Sequence, residues 1–333
     1  MSNDNKREPI IKVENLKMYF PLYKGLIQKV YAEVKAVDDV SFEVYEGETF
    51  GLVGESGCGK TTTGKSIIRI LNPTAGKVFY KGRDIATLKP SEIKDFRREL
   101  QMVFQDPYGS LDPRQSVYSI LRDAIIADRQ PHTPDEVKKR VIELLELVDL
   151  SREMMARYPH ELSGGQRQRL GIARALACNP KVIVCDEPVS ALDVSIQAQI
   201  INLFERLQKE LGLTYIFVAH DLAVVRHIAN RIGVMYLGHL VEVMDSGEMY
   251  RNSRHPYTQA LLSAVPTTDY YAEKERTRIL LEGEVPSPIN APTGCPFHPR
   301  CRYCTEECKK SMPPLKDIGN NHLMACFNPP AKD

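Results

Sequence analysis

The stretch that decides the fold is Gly54-Glu55-Ser56-Gly57-Cys58-Gly59-Lys60-Thr61, which fits the pattern G-x-x-x-x-G-K-S/T. Its glycines permit backbone angles that turn successive N–H groups towards one point, which makes a nest for phosphate oxygens. Lys60 would reach the β- and γ-phosphates of a nucleotide, and the hydroxyl of Thr61 would hold Mg²⁺. The sequence therefore predicts a nucleotide-phosphate site at residues 54–61.

The segments around this loop predict the start of an α/β nucleotide-binding unit. Residues 49–53 form a compact apolar run that predicts a buried strand, and residues 62–71 carry apolar side chains at helical spacing. Residues 35–44 precede them with β-branched side chains near period two, which indicates another strand. A strand, a glycine loop and a helix in this order are typical of such a unit.

Further along the chain, strand patterns continue to alternate with helix patterns. Residues 115–158 are helical by pattern, whereas residues 181–185 and 214–219 are short buried-strand runs separated by an amphipathic helix at 196–211. This alternation predicts a mostly parallel sheet. After Pro266 prolines and cysteines become dense, so we place a domain boundary near residue 265.

Composition narrows the class of protein. Lysine and arginine number 44 against 43 aspartates and glutamates, so the charge balance gives no support for nucleic-acid binding. The polar N-terminus does not resemble a signal peptide, and no window approaches the roughly 18 apolar residues that a membrane span requires. Any membrane association is therefore expected to occur through partner proteins.

A second candidate site follows the apolar run at residues 182–185. Asp186 and Glu187 end this strand as two adjacent carboxylates. Asp186 can bind Mg²⁺, directly or through water, and Glu187 can polarise the attacking water as a general base. Together with the phosphate loop, this pair predicts nucleotide hydrolysis.

The segment Leu162-Ser163-Gly164-Gly165-Gln166 resembles the signature of ABC-transporter ATPases. The resemblance extends in sequence order across residues 10–240, through the phosphate loop, Gln105, the signature, the acidic pair and His220. It implies an α/β fold with a P-loop NTPase core, an antiparallel β subdomain, a helical subdomain at about 110–165 and a cysteine-rich C-terminal extension. The implied domains are residues 8–265 for the ABC ATPase and 266–333 for the extension.

The resemblance also implies a role for each matching residue. Gln105 would touch Mg²⁺ and water and communicate with membrane subunits, His220 would contact the γ-phosphate, and Asp193 would lie in a loop linking two opposed sites. The signature would bind the phosphates held by a partner subunit, so that two ATP molecules lie head-to-tail between two chains. The implied nucleotide contacts are Phe20, Gly54, Glu55, Ser56, Gly57, Cys58, Gly59, Lys60, Thr61, Thr62, Gln105, Ser163, Gly164, Gly165, Gln166, Asp186 and Asp193.

Adenine requires an aromatic platform. In the resembling family the aromatic residue follows the segment that matches residues 15–17, and this spacing favours Phe20, with Tyr19 as the alternative. Either residue could instead be a core aromatic. Phe20 departs from the tyrosine that the family pattern favours, but stacking does not require a hydroxyl.

Three further segments and the tail are similar to the oligopeptide/dipeptide importers, a branch that includes nickel importers. The segments are residues 21–36, 185–194 and 255–266. The resemblance implies a subunit of the second ATPase type at the cytoplasmic face of the membrane. Its partners would be a homologous ATPase forming a heterodimer, two transmembrane permease subunits and an extracytoplasmic substrate-binding protein. The alternatives are import of another solute such as nickel, or a soluble ABC-type ATPase acting on nucleic acid or ribosomes.

Five of the eight cysteines lie in the last forty residues or so, which predicts a metal site in a chain without an export signal. In the resembling family, cysteines arranged as Cys295, Cys301, Cys308 and Cys326 imply an iron–sulfur cluster of the 4Fe–4S type. Zinc is the alternative, because Cys301-x2-Cys304 with His298 and His322 also suits tetrahedral ligation. Reduced cysteines in a docking tail are the third reading.

Overall fold

The computed structural model describes residues 7–25, 29–106, 108–127, 132–265 and 278–330. Its strands are β1 (Ile11–Lys24), β2 (Lys29–Val44), β3 (Thr49–Val53), β4 (Ala75–Tyr80), β5 (Arg83–Asp84), β6 (Leu100–Val103), β7 (Val182–Asp186), β8 (Thr214–Val218), β9 (Arg231–Tyr236), β10 (His239–Asp245), β11 (Lys316–Asp317) and β12 (Leu323–Met324). Its α-helices are α1 (Lys60–Ile67), α2 (Pro90–Glu99), α3 (Val117–Ile126), α4 (Pro134–Leu147), α5 (Gly164–Leu176), α6 (Val194–Leu211), α7 (Leu222–Ile228), α8 (Met249–Asn252), α9 (Pro256–Ala264) and α10 (Glu306–Lys310).

The chain divides into two compact units. The first contains the described residues of Met1–Val44, Phe50–Ile85 and Ala219–Asp333, and the second contains those of Tyr45–Thr49 and Ala86–Val218. The predicted bounds 8–265, 110–165 and 266–333 stay predictions, and the boundary near 265 adjoins residues 266–277, which lie outside the described part. Residues 1–6 of the polar N-terminus, 26–28 of the segment 21–36, and Pro107 also lie outside it.

The first unit contains an antiparallel sheet of order β2–β1–β4–β5. The long pairing of β1 with β2 runs from Ile11 opposite Val44 to Lys24 opposite Lys29. Ile11, Val13 and Leu16 are buried on β1, so the strand contributes an apolar face to the core. This sheet is the antiparallel β subdomain expected from the family resemblance.

The same unit holds the strand that leads into the phosphate loop. β3 is buried along its whole length, and Phe50 to Val53 pair in parallel with β9. β9 pairs antiparallel with β10, and β10 pairs antiparallel with β12 of the extension. The core pairing of β3 with β9 is parallel as predicted, and β10 and β12 add an antiparallel edge, because the hairpin of β9 and β10 reverses the chain direction.

The second unit contains the parallel strands β6, β7 and β8 in the order β8–β7–β6. Its helix α4 begins with a capping box of Thr133 and Glu136 and buries one apolar stripe, formed by Val137, Val141, Leu144 and Leu145. The region 115–158, predicted helical, contains α3, α4 and a 3₁₀ turn at Arg152–Ala156, with residues 128–131 outside the described part. In the described residues no helix is both long enough and apolar enough to cross a membrane.

Helix α1 begins earlier and ends earlier than the predicted 62–71. It begins at Lys60 because the left-handed Gly59 turns the loop directly into the helix. It ends at Ile67 because Arg69 takes a positive φ of 55° and both Ile70 and Leu71 donate to the carbonyl of Lys65. The apolar pattern continues past the helix end, but Ile70 is exposed there and does not extend a buried helical face.

Candidate functional site

The phosphate loop lies between β3 and α1 in the first unit. Gly54, Gly57 and Gly59 have φ values of 149°, 78° and 104°, which side chains rarely adopt. A Cβ at Gly59 would overlap the carbonyl oxygen of Ala36, and one at Gly54 would lie 2.8 Å from the Cys58 sulfur. The loop therefore owes its shape both to backbone angles and to close packing.

Lys60 is held against the loop that it completes. Its side chain is buried, and its Nζ donates to the carbonyl oxygens of Gly54 at 2.8 Å and Glu55 at 3.0 Å. The predicted contacts from residue 54 to the half-buried Thr61 and Thr62 thus form one continuous loop and first helical turn. The ammonium group is placed where it can exchange carbonyl partners for phosphate oxygens.

The acidic pair lies at the end of β7 in the second unit. Asp186 is 3% exposed, and Glu187 takes a φ of 43°, which is uncommon outside glycine. The Glu187 N–H donates to the carbonyl of Val218 at 2.9 Å, and its own carbonyl accepts from the hydroxyl of Ser190 at 3.1 Å. These bonds hold the backbone of Glu187 in a conformation that the sequence pattern did not reveal.

The structure brings Gln105 and Glu187 together. β6 and β7 are parallel neighbours, so the residues that follow them lie at the same edge. The Gln105 Nε2 donates to the Glu187 Oε2 at 3.1 Å. A neutral amide donor orients the carboxylate without removing its charge, which suits a general base that must accept a proton from water.

The signature residues 163–166 form the first turn of α5. The Ser163 hydroxyl accepts from the Gln166 N–H at 3.3 Å, and the Gln166 Oε1 accepts from the Ser163 N–H at 2.9 Å. A Cβ at Gly165 would lie 2.7 Å from Cγ2 of Ile196 on α6, so this glycine permits close helix packing. The predicted phosphate-binding end of this helix is therefore a regular capping box.

A connection between this helix and the segment after Gln105 was not predicted from the sequence. The Arg167 guanidinium lies 3.7 Å from the centre of the Tyr108 ring, and Arg174 donates to the carbonyl oxygen of Ser110. Arg167 also donates to the carbonyl of Pro159 at 2.6 Å. The spacing of the two arginines, seven residues apart and hence on one helical face, was the available signal.

The other predicted contacts are spread over both units. Phe20 and Tyr19 lie on β1 in the first unit, where the Tyr19 hydroxyl donates to Asp38 Oδ1 at 2.6 Å. Burial and this bond raise the pKa of Tyr19 and commit its hydroxyl to Asp38. Because stacking does not require that hydroxyl, the choice of Phe20 over Tyr19 as adenine platform stays a prediction. His220 is exposed in the first unit, and Asp193 precedes α6 in the second.

Four cysteines of the extension converge. Cys295 interacts electrostatically with Cys308, Cys326 and Cys301, and the Cys295 N–H donates to the Cys308 carbonyl at 2.8 Å. Burial raises the pKa of Cys295 to about 12 and that of Cys326 to about 11. The chain thus gathers the four predicted thiols from three separate segments.

The cysteine sulfurs do not form a ligand sphere. Among the described residues, no group of three or more His, Cys, Asp or Glu side chains is arranged to hold a metal ion. Four thiolates have the donor chemistry of an iron–sulfur cluster, so the residue set fits that cofactor whereas the described sulfur positions do not support it. His322, proposed for zinc, contacts the buried Glu242 at 2.8 Å instead.

Two family models match the chain. The model described as ABC transporter matches residues 37–190, and the model described as oligopeptide/dipeptide transporter, C-terminal region, matches residues 241–308. The first match covers the phosphate loop, the signature and the acidic pair. The second covers part of the cysteine-bearing extension.

The chain is similar to curated relatives over nearly its full length. It is 51% identical to the oligopeptide transport ATP-binding protein AppF of Bacillus subtilis, covering 96% of this chain and 97% of the relative. It is 48% identical to the corresponding protein OppF of Escherichia coli, over 96% of each chain. It is 47% identical to the dipeptide transport ATP-binding protein DppF of Haemophilus influenzae, over 98% and 99%.

Solved structures confirm the predicted fold. The dimeric post-hydrolysis structure of the ATP-binding cassette MJ0796, bound to ADP and Pi, matches with a TM-score of 0.62 at 30% identity, covering 71% of this chain and 98% of that one. The protein cbiO1 of Clostridium perfringens matches with a TM-score of 0.61 at 29% identity, over 72% and 90%. With the site geometry and the full-length relatives, these matches establish that the chain belongs to the oligopeptide/dipeptide-transporter family of ABC-transporter ATPases.

Proposed function

We propose that the chain binds and hydrolyses ATP to power the import of oligopeptides or dipeptides through a membrane transporter. The observation that carries the proposal is similarity at about half identity to peptide-transport ATP-binding proteins over 96% or more of this chain. The close approach of Gln105 and Glu187 supports active hydrolysis rather than nucleotide storage.

The chain's own groups would contribute to both the binding and the proton-transfer steps. The phosphate loop at residues 54–61 and the ammonium of Lys60 would hold the phosphates, and His220 would contact the γ-phosphate. Glu187, oriented by Gln105, would accept the proton of the attacking water. Bound Mg²⁺, held by Thr61, Asp186 and Gln105, would supply neutralisation of phosphate charge.

The proposed setting is the cytoplasmic face of a membrane, with the chain attached through two permease subunits that work with an extracytoplasmic substrate-binding protein. A second, homologous ATPase would complete the motor as a heterodimer. The dimeric structure of the related cassette MJ0796 supports pairing of two cassettes in general. The contact of Tyr108 with Arg167 supports communication between the Gln105 segment, which would meet the permeases, and the signature helix.

Uptake of labelled peptide by cells that contain the whole transporter tests this proposal. Glu187→Gln keeps the side-chain shape but removes the base, so ATP hydrolysis and uptake should fall by about 10²–10⁴. Glu210→Gln makes the same chemical change at an exposed position of α6 and should leave both unchanged. Wild-type rates in the Glu187→Gln transporter would contradict the assigned base.

The alternatives have distinct outcomes in the same cells. Uptake of nickel rather than peptide would replace the proposed solute with a metal ion. ATP hydrolysis that responds to nucleic acid or ribosomes, with no uptake defect on deletion, would replace transport with the soluble alternative. Recovery of two copies of this chain without a second ATPase would replace the heterodimer with a homodimer.

We also propose that Cys295, Cys301, Cys308 and Cys326 hold a 4Fe–4S cluster that is structural. The donor chemistry of four thiols within one extension supports the proposal. So do the donors near one thiol, because Asn328 Nδ2 donates to Cys308 Sγ at 3.5 Å and Thr305 Oγ1 lies 3.5 Å from it.

Metal analysis of anaerobically purified protein tests the cluster. We expect about four iron atoms and four sulfides per chain, and loss of both when any of the four ligands is replaced by Ser. Cys304→Ser is the matched control and should keep the cluster. Colourless protein with one zinc would assign the thiols to zinc, and protein with neither metal would contradict a metal site altogether.

A further inference from the structure

The phosphate loop carries a negative charge at its second position. Glu55 follows Gly54 directly and lies among the N–H groups expected to hold the polyphosphate of ATP. Two anions in one partly desolvated place repel each other, since charge interactions strengthen as water is excluded. A carboxylate at this position therefore opposes nucleotide binding unless another group neutralises it.

Arg300 supplies that neutralisation. Its Nη1 lies 2.8 Å from Glu55 Oε2, and its Nη2 donates to Oε1 at 3.3 Å, so the guanidinium binds the carboxylate in a bidentate manner. The Arg300 side chain is 7% exposed and that of Glu55 is 28% exposed. A bidentate pair in this partly buried setting is stronger and more directional than a surface ion pair.

The neighbouring aromatic residues fix both partners. The Tyr257 hydroxyl accepts from the Glu55 N–H at 2.9 Å, and the Tyr236 hydroxyl lies 3.5 Å from Arg300 Nη1. The rings of Tyr236 and Tyr257 have centroids 4.7 Å apart, and Phe297 lies 5.2 Å from Tyr236. These contacts prevent the guanidinium and the loop from moving independently.

Arg300 belongs to the cysteine-bearing extension rather than to the ATPase motifs. It ends the 3₁₀ turn at His298–Arg300 and directly precedes Cys301. The hydrogen bond between Cys295 and Cys308 closes the segment around this turn. The position of the guanidinium is therefore set by the fold of the extension.

We propose that Arg300 is a positioning residue for ATP, through which the C-terminal extension neutralises Glu55 and sets the phosphate loop for the nucleotide. An ion pair between Arg300 and Glu55 that only stabilised the fold would show the same contacts. The two roles differ in what happens when both charges are removed together, because only the positioning role makes the harm of losing Arg300 depend on the charge of Glu55.

Affinity for a fluorescent ATP analogue, measured on the full-length chain, tests the inference. Arg300→Gln leaves Glu55 unneutralised and should weaken ATP by about tenfold, within the coupling expected for contacting charges. Glu55→Gln alone should tighten ATP, because Arg300 then faces the phosphates unopposed. The double variant should return to within about threefold of wild type, since both charges are gone.

Two controls keep the result interpretable. Arg302→Gln removes the same charge from an exposed position of the same segment and should leave ATP affinity unchanged. In the assembled transporter, Arg300→Gln should raise the KM for ATP with little change in kcat, because the catalytic carboxylate is untouched. Thermal unfolding of each variant reports any general loss of structure.

An equal loss of ATP affinity in Arg300→Gln and in the double variant would overturn the inference and assign the ion pair a purely structural role. Wild-type affinity in Arg300→Gln would overturn it as well. The inference rests on the proposed ATPase function, and the wild-type chain separates the two. Failure of the wild type to bind the nucleotide would contradict the function, whereas tight wild-type binding with no effect of Arg300 would contradict only this inference.

Discussion

The phosphate loop at residues 54–61 and the signature turn at 163–166 are both glycine-rich segments that start a helix, yet their glycines serve different physical ends. In the phosphate loop, Gly59 has a φ of 104°, and its missing Cβ leaves room for the Ala36 carbonyl. In the signature, Gly165 does not have a positive φ, and its missing side chain leaves room for Ile196 instead.

The difference concerns how complete each site is within one chain. The phosphate loop is a shaped concavity with its own cation, because Lys60 already rests on the loop carbonyls. The signature is an ordinary helix start whose hydroxyl is committed to its capping box. We propose that the first segment binds phosphate within one chain, whereas the second binds a nucleotide presented by a partner.

The largest test of this contrast is Ser163→Arg. A long cation at the signature should block closure on the partner's nucleotide and lower hydrolysis by the assembled transporter by about 10²-fold or more, as expected for misplaced reacting groups. ATP binding by the isolated chain should be unchanged, as measured by nucleotide titration.

Ser151→Arg is the matched control, since Ser151 caps the exposed turn at Arg152–Ala156 in the same unit. It should leave hydrolysis unchanged. Loss of ATP binding by the isolated Ser163→Arg chain would break the contrast, because the signature would then belong to this chain's own site.

Alanine at the two glycines gives the next effect. Gly59→Ala adds a Cβ to a left-handed residue, which costs about 1–2 kcal/mol before the overlap with Ala36 is counted, and should weaken ATP by at least about tenfold. Gly165→Ala meets the Cγ2 methyl of Ile196, 2.7 Å away, and should lower stability by about 1–3 kcal/mol while sparing ATP affinity.

Nucleotide titration and urea unfolding of both alanine variants separate these outcomes. Equal loss of affinity in the two variants would show that both glycines shape one site.

Acid should destabilise the packing beside the phosphate loop, where the Tyr257 hydroxyl accepts from the Glu55 N–H. The buried His255 accepts from the Tyr257 N–H at the start of α9, and burial lowers its pKa from 6.5 to about 4, against the opposing charge of Glu242. Below pH 6.5 the unfolded chain takes up a proton that the folded chain refuses. Stability should therefore fall by up to about 1.4 kcal/mol per pH unit down to pH 4.

Urea midpoints at pH 7 and pH 5 measure this effect. His255→Gln should flatten the dependence, and the exposed His227→Gln should leave it unchanged. The capping pair of Ser163 and Gln166 does not titrate, so the signature turn lacks this sensitivity. An identical pH slope in wild type and His255→Gln would remove the proposed origin.

The smallest effect is expected for Ser163→Ala. Removing the capping hydroxyl should lower the free energy of unfolding by about 1 kcal/mol, the usual value for such a cap. ATP affinity of the isolated chain should stay at the wild-type value in nucleotide titration. A weaker affinity would mean that Ser163 contacts the chain's own nucleotide.

The sequence by itself determined the features that depend on neighbouring residues. The phosphate loop, the acidic pair at the end of an apolar run and the helix start at Ser163 are local patterns, because their chemistry needs particular residues at fixed short spacing. The order of these motifs predicted the family and the fold, which the relatives and solved structures confirm. The individual roles of the site residues stay predictions.

Tertiary structure alone decided the contacts between distant segments. Arg300 and Glu55 are 245 positions apart, and Tyr108 reaches Arg167 across a whole helical region. No short pattern encodes such pairs, since they depend on how strands and helices pack. The left-handed Glu187 has the same origin, because its N–H donates to the distant carbonyl of Val218 and this bond overrides the local preference of the residue.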